Sequence, residues 1–316
     1  MQVAVKNLVR TFGRTRAVDG ISFTFASGDI YGFVGPNGAG KTTTMRVLAT
    51  LDEPDFGDIE VDGVSLIDYP EVARRELGFM PDALPSHRDI SVEEYVDFFA
   101  RAYGLTGKKR QSSVEGVIEF TNLAGIRWKM VGDCSKGMKQ RVSLARALVH
   151  DPSVLVMDEP AAGLDPRARV ELRELLKILR SQGKAILISS HILTELSEIC
   201  TGAIIIEQGR ILHAGSMKQL LDANLREPKQ AVDVRALNMD ANSLTKLLIE
   251  MPLVESALPL GEDGTGQVRV LMDRDAAAAA SLLKMLVERG IPVVEFAPRR
   301  ADLEDVFMAI TEGKVQ

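Results

Sequence analysis

Residues Gly35-Pro36-Asn37-Gly38-Ala39-Gly40-Lys41-Thr42 have the spacing G-x-x-x-x-G-K-[ST]. That spacing describes a phosphate-binding loop. Its glycines let the backbone wrap closely around a phosphate, so that N–H groups point inward. Lys41 is placed to reach the terminal phosphates of a nucleotide, and the Thr42 hydroxyl to ligate Mg²⁺. Thr43 completes the set expected to meet the nucleotide. A second group of residues narrows the chemistry. Val154-Leu155-Val156-Met157 is an apolar run ending in two adjacent carboxylates, Asp158 and Glu159. Consecutive side chains near a strand end point different ways, so the two can do different work. Asp158 is expected to hold Mg²⁺ through water. Glu159 is expected to orient and deprotonate an attacking water. A kinase that passes phosphate to a bound acceptor has no need of such a glutamate.

These residues need strands to end beneath them and helices to begin beyond them. Ile30–Val34 reads as a buried strand before the loop. Thr43–Leu48 reads as a helix whose N-terminus favours an anion. Val3–Leu8, Gly20–Phe25, Ile59–Val61, Leu77–Met80, Ser153–Met157 and Ala185–Ser189 read as further strands. Short, continuously apolar strands imply a sheet covered on both faces. A mostly helical stretch runs from Asp82 to His150, its first helix opened by the capping box Ser91-Val92-Glu93-Glu94. Asp165 and Pro166 form an N-cap and first-turn pair for a helix reaching about Ser181.

A polar break at Asn224–Gln230 marks the expected boundary of a first domain, residues 1–223, with its helical subdomain at about 83–150. The second domain, 231–316, reads as strand, helix, strand, strand, helix, strand and a last helix over Leu303–Thr311. That order is ferredoxin-like.

The chain has 316 residues, 46% hydrophobic and 26% charged, with a net charge of −6. The size fits roughly two domains. An acidic balance gives no reason to expect a nucleic-acid partner. The short basic runs, such as Lys108-Lys109-Arg110, read as solvated faces. No apolar stretch approaches the roughly 18 residues that would span a bilayer. The first residues alternate like a strand, unlike a signal peptide. Cys134 and Cys200 are the only cysteines. Neither has a metal or redox spacing, so a reducing compartment is expected, and Cys134 reads as a small buried apolar residue rather than a redox centre.

At this point the chain resembles the nucleotide-binding subunit of ATP-binding-cassette (ABC) transporters, over nearly its whole length. The phosphate loop is followed by a strand-end loop, Leu77-Gly78-Phe79-Met80-Pro81-Asp82. Next come a signature-like stretch, Cys134-Ser135-Lys136-Gly137-Met138-Lys139-Gln140-Arg141, and Asp158-Glu159-Pro160. A D-loop-like Ala162-Gly163-Leu164-Asp165 follows, and then His191. The motifs stand in the family's order.

The resemblance implies an ATPase of the α/β P-loop class that uses ATP and Mg²⁺. It implies that Ser135, Lys136, Gly137 and Met138 lie against the γ-phosphate of ATP held by a second copy, in a head-to-tail homodimer. His191 would sense that phosphate, and Asp165 would couple the two sites. Phe12 sits where the family places an aromatic that stacks on adenine; a core aromatic is the competing reading. Asp82 stands where the family usually has Gln. It is expected to ligate the metal, with the capping of a turn as its alternative. Lys136 stands where a second glycine is usual.

The C-terminal Asp302-Leu303-Glu304-Asp305-Val306-Phe307 is similar to the ending of ATPases that power ABC-2-type exporters. The implied partner is a polytopic membrane permease, with this chain at the inner face of the cell membrane. The alternative is a soluble ABC ATPase, but translation-type members usually carry two cassettes and repair-type members long coiled coils. A GTPase is disfavoured because no N-K-x-D motif is present.

Overall fold

The computed structural model describes residues 1–84, 89–190, 193–224, 229–260, 266–273 and 275–299. Among them the chain divides between Leu220 and Leu221 into two compact units.

The first unit opens with β1 (Gln2–Phe12), β2 (Thr15–Ala26), β3 (Ile30–Val34), α1 (Lys41–Leu48), β4 (Phe56–Val61) and β5 (Val64–Ser65). It continues through α2 (Pro70–Glu76), β6 (Leu77–Met80), α3 (Val92–Ala102), α4 (Gly107–Phe120), α5 (Lys136–Leu148), β7 (Val154–Met157) and α6 (Pro166–Ser181). It ends with β8 (Ala185–Ser190), α7 (Leu193–Ile199), β9 (Gly202–Glu207), β10 (Arg210–Ser216) and α8 (Met217–Asn224), which runs past the division.

Two sheets form. One is antiparallel, in the order β2-β1-β4-β5. The other has the order β10-β9-β3-β8-β7-β6, parallel except for β10. Every residue of β7, β8 and β9 is buried, as continuously apolar strands require. The main core joins the two sheets through α1. Val3, Val5 and Phe23 pack with Met45 and Leu48, and with Phe33, Val156 and Ile204.

Helices α3, α4 and α5 surround a separate core that includes Tyr95, Ile118 and Val142. The expected capping box is formed. Ser91 accepts from the Glu94 amide at 3.3 Å, and Glu94 accepts from the Ser91 amide at 2.9 Å. Asp165 caps α6 through the Ala168 amide, with Pro166 in the first turn. Strands β9 and β10 had no counterpart in the sequence reading.

The second unit contains β11 (Lys229–Ala236), α9 (Ala241–Ile249), β12 (Val254–Leu260), β13 (Gln267–Asp273), α10 (Ala276–Glu288) and β14 (Val293–Arg299). Its sheet is antiparallel in the order β12-β13-β11-β14. Leu244, Leu248, Leu282 and Leu286 of the helices pack on Val232, Val234, Val268 and Val270 of one sheet face. The helix expected at Leu303–Thr311, the Asp302–Phe307 ending and most of the turn at Gly261–Gly266 lie outside the described residues.

Candidate functional site

The parallel sheet sets the site. In β3, β8, β7 and β6, Val34 pairs with Ser190, Ile188 with Met157, and Met157 with Met80. The C-terminal ends of four strands therefore stand in one row. In open α/β sheets, ligands bind beyond such a row.

The phosphate-binding loop leaves the end of β3 and enters α1. Gly40 is the N-cap residue, with φ at 103°, and a Cβ there would collide with the Ala17 carbonyl oxygen. Only glycine fits both the conformation and the space. Lys41 is 7% exposed, and its Nζ donates to the carbonyls of Gly35 at 2.7 Å and Pro36 at 3.0 Å. Burial lowers its pKa, while the Glu159 and Asp158 carboxylates oppose that shift. Thr44, one turn in, donates its hydroxyl to the Gly40 carbonyl at 2.9 Å. Thr42 is exposed and Thr43 half-buried at the open end of the helix.

Beyond β7, Asp158 is 4% exposed. Its amide donates to the Met80 carbonyl at 2.8 Å, which ties it to the neighbouring strand. Ser189, fully buried on β8, was not singled out in the sequence. Its hydroxyl donates to Asp158 Oδ1 at 2.6 Å and accepts from the Glu159 amide at 2.8 Å. One hydroxyl thus orients one carboxylate and anchors the backbone of the other. A signal did exist, since Ser189 ends the apolar strand two residues before His191. Glu159 has φ at 49°, which is uncommon for a side chain of its size. Strain of this kind is concentrated at functional sites.

Asp82 is exposed beyond β6. Its backbone carbonyl accepts from Nε2 of the buried Gln140 on α5 at 3.1 Å, a second link the sequence reading missed. Arg146, also on α5, donates to the Phe79 carbonyl at 2.9 Å. The signature helix therefore holds the strand-end loop by two side chains. Among the described residues, no group of three His, Cys, Asp or Glu could hold a metal. The donors at hand are the Thr42 hydroxyl and the Asp158 carboxylate, both hard oxygens. That set fits Mg²⁺, which commonly takes one or two protein ligands and completes its shell with water and substrate phosphate.

Ser135 caps α5, accepting from the Met138 amide at 3.3 Å, and it is exposed together with Lys136. Asp165 is exposed at the start of α6. Phe12 is 48% exposed at the end of β1, with the Arg10 guanidinium 4.8 Å from its ring centre. That exposure corrects the core reading of Phe12. Both cysteines are buried, and burial raises their pKa, that of Cys200 to about 12. His191 lies outside the described residues.

Residues 18–162 match the family model described as ABC transporter. The chain is 34% identical over 312 residues to a Nod factor export ATP-binding protein I of Burkholderia lata. The match covers 98% of this chain and 97% of that protein. The chain belongs to the ABC transporter ATP-binding proteins. A protein of the same description from a Rhizobium species is 38% identical over 307 residues, covering 97% of this chain and 96% of its own length. Among solved structures, an ATP-binding subunit of an ABC transporter aligns with a TM-score of 0.66. It has 29% identity and covers 72% of this chain and 95% of its own. A dimeric bacterial ABC transporter cassette aligns at 0.62 with 21% identity, covering 68% and 98%. Like its family, this chain is an ATPase that binds ATP. No helix among the described residues is long and apolar enough to cross a membrane.

Proposed function

We propose that this chain is the nucleotide-binding subunit of an ABC-2-type export system. It works as a head-to-tail homodimer against a polytopic membrane permease, at the inner face of the cell membrane. The observation that carries this is the reach of the match to the Nod factor export proteins. It spans 98% of this chain, well past the cassette and through the second unit. A soluble ABC ATPase has no such counterpart among these relatives.

In this reading the phosphate loop from Gly35 to Thr43 and the ring of Phe12 hold ATP. Thr42, Asp158 and Asp82 would hold Mg²⁺, which when bound would neutralise charge on the phosphates. Glu159 takes a proton from the attacking water at its carboxylate. His191 meets the γ-phosphate. Ser135, Lys136, Gly137 and Met138 of the second copy complete the site, and Asp165 relays closure between the two sites. The cytoplasmic motor turns hydrolysis into movement of the permease.

Purification of the tagged full chain from gently solubilised membranes tests the partner. A polytopic membrane protein is expected to come with it in stoichiometric amount. Recovery of the chain alone from the soluble fraction would leave the soluble ATPase as the better reading.

A further inference from the structure

Lys136 is the first residue of α5, a position where a positive charge opposes the helix dipole. No acidic residue stands in that turn to offset it. Its ammonium makes no hydrogen bond or ion pair among the described residues. Helix stability therefore does not explain a lysine here. Its surroundings do. The lysine side chain lies across Gly163, in the loop before α6. Its Nζ, Cε and Cδ stand 2.4, 2.9 and 3.0 Å from where a Cβ on Gly163 would be. Gly163 has φ at +68° and no side chain, and the outer end of the lysine fills the notch this leaves.

The next residues extend the same seam. A Cβ on Gly137 would stand 3.6 Å from Leu164 and 4.0 Å from Ala168. One turn further, Arg141 pairs with Glu171, joining α5 to α6. The lysine contact, the close approach of the backbone at Gly137 and the Arg141–Glu171 pair thus line the start of the signature helix up against the loop and helix that carry Asp165.

We propose that Lys136 is a positioning residue that locks the signature stretch to the D-loop of its own chain, so that the two move as one piece. The proposal rests on the composite-site reading above. When Ser135 is drawn to the γ-phosphate bound by the second copy, the stem of Lys136 carries Gly163 and Asp165 with it. Closure of one nucleotide site is thereby passed to the other. The outer part of the side chain, from Cδ to Nζ, does this by lying over Gly163 while the residue stays exposed.

The test uses the full chain and steady-state hydrolysis across a range of ATP concentrations. Lys136→Gly removes the stem. It is expected to lower kcat about fivefold and reduce the Hill coefficient for ATP, with KM changed less than about twofold, a size common for coupling residues. Lys136→Met keeps an unbranched stem without the charge and should restore most of both losses. Gly163→Ala places a methyl in the notch. The flexible end of the lysine yields to it and is unseated, and the strain of an alanine at φ +68° is measured separately by a thermal unfolding curve of each variant. The same losses should appear, and the double variant Lys136→Gly/Gly163→Ala should be no worse than the poorer single one.

Losses that multiply in the double variant overturn the link. So does a Lys136→Met as impaired as Lys136→Gly, which would assign the effect to charge. A Ser135→Arg control separates this from failure of the underlying reading. If Ser135→Arg leaves hydrolysis intact, the composite site itself is wrong. If it abolishes hydrolysis while Lys136 and Gly163 act independently, only the link falls.

Discussion

Lys41 and Lys136 each open a helix after a loop, yet their surroundings are opposite. Lys41 is buried, donates to two loop carbonyls and sits within the field of two carboxylates. Lys136 is exposed, with its ammonium unpartnered among the described residues. The turn before Lys41 is capped by a left-handed glycine, which leaves the amides open. The turn before Lys136 is capped by a serine hydroxyl that already holds one amide. The first region is a half-site whose residues all come from one chain. In the proposed dimer, the second is the half-site that this chain presents to the other copy.

Damage to the inward half should therefore show in the single chain, and damage to the outward half only in the dimer. Lys41→Ala should be the most severe change, because the phosphates lose their main point charge. A nucleotide-binding titration and an ATPase assay should both show the loss, at any protein concentration. Unchanged affinity would break the assignment of the phosphate loop. Glu159→Gln should keep ATP binding and lower kcat by about 10²–10⁴-fold, the usual share of a general base. ATP-bound dimers should then accumulate in size-exclusion chromatography. Wild-type turnover would remove Glu159 from the mechanism.

Ser135→Arg probes the outward half. It should leave ATP affinity of the isolated chain near wild type while reducing hydrolysis by about 10²-fold, comparable to the loss of one anion-binding donor. Mixing it with Lys41→Ala should restore part of the activity, since each mixed dimer contains one intact composite site. A Ser135→Arg chain that fails to bind ATP at all would collapse the distinction between the halves.

Ser189→Ala sharpens the inward half further. It removes the hydroxyl that orients Asp158 and frees the Glu159 amide. A hydrogen bond to a charged group contributes about 1.5–3 kcal/mol. A fall of about tenfold in kcat, with KM nearly constant, is the expected result of steady-state kinetics. A rise in KM alone would mean that Ser189 serves nucleotide affinity instead.

The inward half was also the more legible one in sequence. Consecutive contacts along the chain produce it, so the loop, the apolar strand before Asp158 and the capping pair Asp165-Pro166 could be read directly. Ser91 and Glu94 gave away the start of α3 for the same reason. What escaped depends on distance along the chain. Ser189 serves Asp158 because β8 lies beside β7, and Gln140 reaches the Asp82 carbonyl from 58 residues away. Strand order decides both, and spacing does not record it. Lys136 was visible as a departure from a pattern, but the notch at Gly163 that gives it a use exists only in the fold. Strands β9 and β10 went unnoticed for a different reason. Gly202–Glu207 is short and apolar like the others, but no motif residue follows it to draw attention.

Asp82 lies between the two regions, and the smallest expected effect belongs to it. Its side chain is exposed beyond β6, while its backbone carbonyl is held by Gln140 of the signature helix. Position is thus fixed through the main chain, which leaves the carboxylate free to act as a ligand. A charged oxygen is a stronger partner for a hard cation than the neutral amide oxygen more usual in the family. Asp82→Asn keeps the shape, the Gln140 contact and any turn capping, and removes only the charge. The Mg²⁺ concentration for half-maximal hydrolysis should therefore rise, by about threefold for one of several ligands. Asp82→Gln should behave similarly and retain activity at saturating Mg²⁺. Two titrations at fixed ATP decide the matter. An unchanged Mg²⁺ requirement in Asp82→Asn would place Asp82 with the turn-capping residues, outside the metal site.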